Sequence, residues 1–226
     1  MQNALAVQED EVLVALAEVG VTREELEDAI REGERARASC HPYDPPTYPG
    51  SASHAHRIRK LSSVLVPEPR SWARVNDHAM PFIVRPDHKV AITTCRGNED
   101  VANPKGKPRS RFKKGQTAVA LTTQNRKNLQ LEIPGMEFGK LAREGSLTRL
   151  PPGATVHYLL VDRRGDKVFA ELSVPTEIDK DGYVVAFRPR IILGALSVGE
   201  LPPNTPDDDE GDDDDLDISV SPVDGG

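Results

Sequence analysis

Aromatic residues make up only 4% of this 226-residue chain, and its cysteines number two, Cys40 and Cys95. Two thiols are too few for the disulfide framework of a small secreted protein, and they point to a reducing compartment. So few rings leave little from which to build stacking platforms for single-stranded nucleic acid. No stretch reaches the roughly 18 apolar residues of a spanning helix. The opening MQNALAVQEDEV has neither the basic n-region nor the apolar core of an export signal. A soluble, cytoplasmic protein without a membrane partner is expected. The apolar fraction is low at 37%, and 19 prolines with 17 glycines indicate extensive loop, so the composition fits a folded body carrying disordered segments. Alanine, arginine and proline usage has the style of a bacterial high-GC genome or mobile element, which supports no activity.

What is present in abundance is charge, unevenly placed. The formal net charge is −7. From Asp207 to the end there are ten acidic and no basic residues, and residues 1–36 hold ten acidic and three basic ones. The segment 37–206 therefore carries +10, a basic body between two acidic ends.

The chain reads as α+β: N-terminal helices, then a mainly antiparallel β-sheet, then a disordered acidic C-terminal tail. Its regions are a helical part over 1–66, a sheet part over 72–196 with a basic loop at 96–116, and a tail over 201–226. Val12, Leu13, Leu16 and Val19 recur at helical spacing in a first helix over 4–19. Thr22 and Glu25 make an S/T-x-x-E capping box for a second helix, acidic in its first turns and arginine-rich later, as the helix dipole favours. The prolines of HPYDPPTYPGS end it, and Ser51 or Ser53 is placed to cap a third helix reaching about Leu65. PFIV and VAITTC, separated by the turn RPDHK, read as a hairpin. TAVALTTQNRKNLQ suits either element and leans towards helix, and EFGKLAREG (137–145) reads as a short helix. TVHYLLV, KVFAELSV and YVVAFR, punctuated by Gly165 and by Asp181-Gly182, predict an antiparallel meander, with RIILGAL as a possible fourth edge.

The stretch RGNEDVANPKGKPRSRFKKGQ (Arg96–Gln116) carries most of the chemical character. Lys105, Lys107, Arg109, Arg111, Lys113 and Lys114 fall in its second half with no acid among them. In an extended backbone the first five share a face, opposite Phe112. Such a row attracts a phosphate chain, and binding through it falls steeply with salt. A helix opening at Thr117 would add its amides. The plainer reading is a solvated loop kept soluble by its lysines and arginines. The sequence GKPRSRFKKGQT lacks the Gly-Lys-Ser/Thr ending of a phosphate-binding P-loop.

Other candidates are weaker. Cys40, His41, His54 and His56 are zinc-ligand types, but their spacing matches no standard finger. Asp77-His78 and Asp87-His88 could orient a base, yet no nucleophile accompanies them. Metal-dependent cleavage of nucleic acid would draw on Asp87, Glu99, Asp100 and Glu171; Glu171, opposite Val168 and Leu172 on its strand, also suits a solvent-facing residue. The tail is either a solubilising extension or a tether that competes for the basic body in cis or recruits a basic partner.

The sequence therefore leads to a non-enzymatic accessory or regulatory protein contacting DNA or RNA through the six cations of the loop, modulated by its tail. No catalytic residue, cofactor or metal is expected. The alternatives are a protein-interaction adaptor or inhibitor, with a protein partner held by the tail and the acidic helices, and a metal-dependent nuclease.

Overall fold

The computed structural model describes residues 2–78, 80–131 and 149–198. Helix α1 (Gln2–Val19) turns at Gly20 into α2 (Arg23–Ala38). Gly20 adopts φ 92°, a conformation that glycine takes without steric cost. The capping box forms as expected: Thr22 Oγ1 accepts from the Glu25 amide, and the Glu25 carboxylate accepts from the Thr22 amide. Helix α3 (Tyr48–Leu65) begins earlier than Ser51, with proline in its first turn and no side-chain cap. Pro49 removes one of the amide protons that a first helical turn leaves unpaired, and the Tyr48 amide donates to the Pro45 carbonyl.

One six-stranded sheet follows, formed by β1 (Ala73–Asp77), β2 (Met80–Val84), β3 (Val90–Arg96), β4 (Thr155–Arg164), β5 (Lys167–Ile178) and β6 (Val184–Ser197), in sequence order across the sheet. All neighbours are antiparallel except β3 and β4, which run parallel from Val90↔Thr155 to Arg96↔Val161. The protein is thus α+β with a mainly antiparallel sheet. Its parallel pair is bridged by a crossover that contains α4 (Gln116–Leu131), the stretch whose composition leaned to helix. YVVAFR and RIILGAL are not separate edges: they join into the single long strand β6, which bulges where Gly194 takes φ 88°. EFGKLAREG and the acidic tail lie outside the described residues.

Strand alternation sends side chains to two cores. Val90, Ile92, Leu159, Val161, Val168, Ala170 and Leu172 pack with Leu16, Leu26, Ile30, Leu61 and Leu65 of the N-terminal helices. Ala91, Cys95, Val156, Tyr158 and Leu160 face the other way, onto Leu121 of α4 and Val101 of the basic loop. The helices α1–α3 cover one face, and α4 with the loop covers the other.

Candidate nucleic-acid interface

The basic loop is built into the sheet. Gly97 forms a bridge with Ser110, so the loop's two limbs pair immediately beyond β3. The Asn98 amide donates to the Arg109 carbonyl, and Asn98 Oδ1 accepts from the Arg109 amide. Ser110 then ties the loop to β6: its amide donates to the Val184 carbonyl and its Oγ accepts from the Val184 amide. The Lys114 amide donates to the Gly182 carbonyl. A Cβ on Gly97 would stand 2.3 Å from Val101 Cγ2, so only glycine fits where the limbs close.

The other half of the loop wraps a buried ion pair. Glu171 is fully buried, which corrects the expectation of a solvent-facing residue. Its Oε1 accepts from Ser173 Oγ (2.9 Å) and Arg190 Nε (3.1 Å); its Oε2 accepts from Arg190 Nη2 (2.5 Å) and the Ala102 amide (2.9 Å). Arg190 also donates to the carbonyls of Asn103 and Gly106. A carboxylate in low dielectric is tolerable only when paired and hydrogen-bonded, and every donor here comes from β5, β6 or the loop. Ala102 is held at φ 61°, a left-handed conformation that surrounding contacts must enforce. Next to it, Arg164 stacks on Phe169 at 3.5 Å, reaches Asp162 at 2.8 Å and donates to the Val101 carbonyl. Burial raises the Asp162 pKa, against the pull of Arg164.

The six cations then divide. Lys105, Lys107 and Lys113 are exposed, and their ammonium groups form no ion pair among the described residues. The Arg109 guanidinium lies 3.7 Å from the centre of the Tyr183 ring, with Asp179 at 3.9 Å. Arg111, half-buried, adds its charge to the field on Asp162. Lys114 acts on His54 of α3, whose pKa falls to about 4 through burial first and then the charges of Arg57 and Lys114. The fixed backbone thus places three lysines in solvent and directs the remaining cations at specific neighbours. Arg190, Arg164, Ser110 and Tyr183, which shape the surface, are not evident from the sequence: each acts through a partner at least five and up to about eighty-seven residues away.

The other candidates are dispersed. Asp87 is clamped by Arg85 in the β2–β3 turn, with its carboxyl held at about 2 by that hydrogen bond and by the Lys89 amide. It lies at the opposite end of β3 from Glu99 and Asp100. Cys40 donates to the Ala36 carbonyl, His41 stacks on Tyr43, and His56 meets Arg59 and Glu32. His78 contacts Asp77 and Thr117. Among the described residues no group of three or more His, Cys, Asp or Glu side chains is placed to hold a metal ion, and no helix is long and apolar enough to cross a membrane. Compared with protein-family models, with curated proteins and with solved structures, the chain matches none of the three.

Proposed function

We propose that this chain is a non-enzymatic accessory or regulatory protein that binds nucleic acid through its basic loop, with the acidic tail modulating that binding. The observation that supports the reading best is a run of cations on a backbone fixed by β6 and by the Glu171–Arg190 pair, with Lys105, Lys107 and Lys113 left in solvent. A preordered loop loses little conformational freedom on binding. Lysines in solvent meet phosphates as mobile point charges, and the Arg109–Tyr183 stack offers a flat cationic surface beside them. Contacts of this kind read backbone charge rather than base sequence.

The test is fluorescence anisotropy against labelled single- and double-stranded DNA and RNA across a salt series. Binding should weaken steeply with salt. Replacing Lys105, Lys107 and Lys113 by alanine should reduce the log–log salt slope by about one per lysine. Unchanged affinity after alanine replacement of all six loop cations would overturn the reading.

One observation favours a second reading, a protein-interaction adaptor. The acidic helix α1 exposes Leu13 and Val14, at 44% and 61%, beside a shallow hollow lined by Asp10, Glu11, Val14, Ala15 and Glu18. An apolar spot rimmed by carboxylates suits a basic protein surface. Val14→Asp should abolish such a contact and leave nucleic-acid binding intact.

A further inference from the structure

Positive charge is also concentrated away from the exposed lysines, at the carboxyl ends of the parallel strands β3 and β4. Arg57 of α3 is 2% exposed, packed against Gly33. It meets Glu34 at 3.6 Å, and its Nε has no hydrogen-bond partner. Burial, and then the like charges of Arg96 and Arg37, bring Arg57 down to about 10 against the opposing pull of Glu34. Arg163 approaches the same Glu34 at 3.9 Å. On the other side of the sheet, Arg164, Arg111 and Arg96 all act on Asp162. Arg96 therefore links two halves of one cationic band that crosses the end of the sheet, with Glu34 and Asp162 among the carboxylates beside it. Concentrated like charge in a half-buried setting favours an added anion strongly, because screening by water is weak there.

The chain's own exit point lies beside this band. Lys167 is the register partner of both Arg164 and Ser197, so the end of β6 stands two strand spacings, about 10 Å, from the end of β4. The Val198 amide reaches the carbonyl of Asp166 in the β4–β5 turn. Asp207 lies nine positions beyond Val198, a reach of up to about 30 Å when extended. Beyond them come ten acidic residues without a base.

We propose that the cationic band at the carboxyl ends of β3 and β4 is a polyanion-binding site and that its occupant in the free protein is the acidic segment Asp207–Asp217 of the same chain. The segment carries the complementary charge, starts within reach and, being tethered, is present at an effective concentration in the millimolar range. The inference deepens the tail modulation in the preceding reading: an incoming phosphate chain that extends past Arg111 towards Arg96 must displace the tail, so the tail sets a threshold for binding. Docking of the tail itself does not require nucleic acid.

The experiment uses the full chain with Cys40→Ser and a nitroxide attached at Ser219→Cys, read by paramagnetic broadening of backbone amide signals. At low salt the amides of Arg96, Arg111, Arg163 and Arg164 should lose most of their intensity. Signal should return at high salt, and also when Asp207–Asp209 and Asp212–Asp215 are all changed to Asn. A second variant, Arg163→Gln with Arg164→Gln, should relieve the broadening while the remaining spectrum keeps its positions. Absence of broadening, its persistence in the Asn variant, or its confinement to another surface would overturn the proposal. Docking without any binding of DNA or RNA would leave this inference standing and remove the preceding reading; nucleic-acid binding without docking would do the reverse.

Discussion

The two faces of the sheet are filled by different physics. On the face covered by α1–α3, apolar side chains spaced at helical periods meet alternating strand residues, and apart from the Arg57–Glu34 pair between α2 and α3 the stabilisation is burial of aliphatic area. On the face covered by α4 and the basic loop, an aliphatic patch gives way to paired polar groups, Glu171 with Arg190, Asp162 with Arg164 and Asn125 with backbone, although Tyr158 Oη and Thr122 Oγ1 are buried there without a hydrogen-bond partner. Asn125 shows how specific this is. Continuing the β4–β5 register places Val156 opposite Pro175, which has no amide proton to donate. The Asn125 side chain takes the missing place, accepting from the Val156 amide and donating to the carbonyls of Val156 and Pro175. A face built of area tolerates exchange among apolar residues of similar volume, whereas a face built of paired polar groups tolerates very little.

The largest effect that would expose this difference is expected at Glu171. Glu171→Ala leaves Arg190 uncompensated and should lower stability by about 3–5 kcal/mol in urea unfolding. The double replacement Glu171→Leu with Arg190→Met should recover most of that loss, yet leave the amides of Ala102, Asn103, Lys105 and Gly106 exchanging rapidly with solvent, because the loop's anchor is gone. On the aliphatic face, Leu26→Ala should cost about 2–5 kcal/mol through lost burial and a cavity, with the protection of those loop amides unchanged relative to global stability. Asn125→Ala should cost about 1–3 kcal/mol for buried backbone groups left unpaired, and hydrogen exchange should rise first at Val156.

The smallest effect concerns pH. His157 points to the helix-covered side of β4, and burial, then Arg85, lowers its pKa from 6.5 to about 4 against a favourable bond to the Thr155 carbonyl. A depressed pKa means that its contribution is complete above about 6.5 and is lost as pH falls through about 4. His157→Gln should flatten the decline of unfolding free energy across that window. Some slope should remain from His54, which titrates over the same range.

The aliphatic face was readable from the sequence because its logic is local. The capping box, the four-residue spacing of Leu26 and Ile30, and the alternation of Val168, Ala170 and Leu172 each lie within one element. The polar face was obscured because its logic is non-local. Helix α4 buries Ala118, Leu121, Thr122 and Asn125 at helical spacing, but two of those four are polar, so the apolar period is broken where the helix is most embedded. Glu171 in AELSV reads as a solvent-facing residue until Arg190, nineteen residues later, is set beside it. The parallel pairing of β3 with β4 joins segments about sixty-five residues apart, beyond the reach of any local pattern. Of the candidate site, the positions of the six cations were legible, but the partners that divide them between solvent and the fold were not.

The ties between the basic loop and β6 also order events in time. Ser110 bonds to Val184 across 74 residues, and Arg190 grips Gly106 across 84. A ribosome releases the lysine-rich segment long before the strand that shapes it, and non-local pairings of this separation form late. The cationic surface therefore comes into being only as the last strand docks, and the next residues to emerge are those of the acidic tail. In a nascent chain, the acidic segment would emerge just as the cationic surface takes shape.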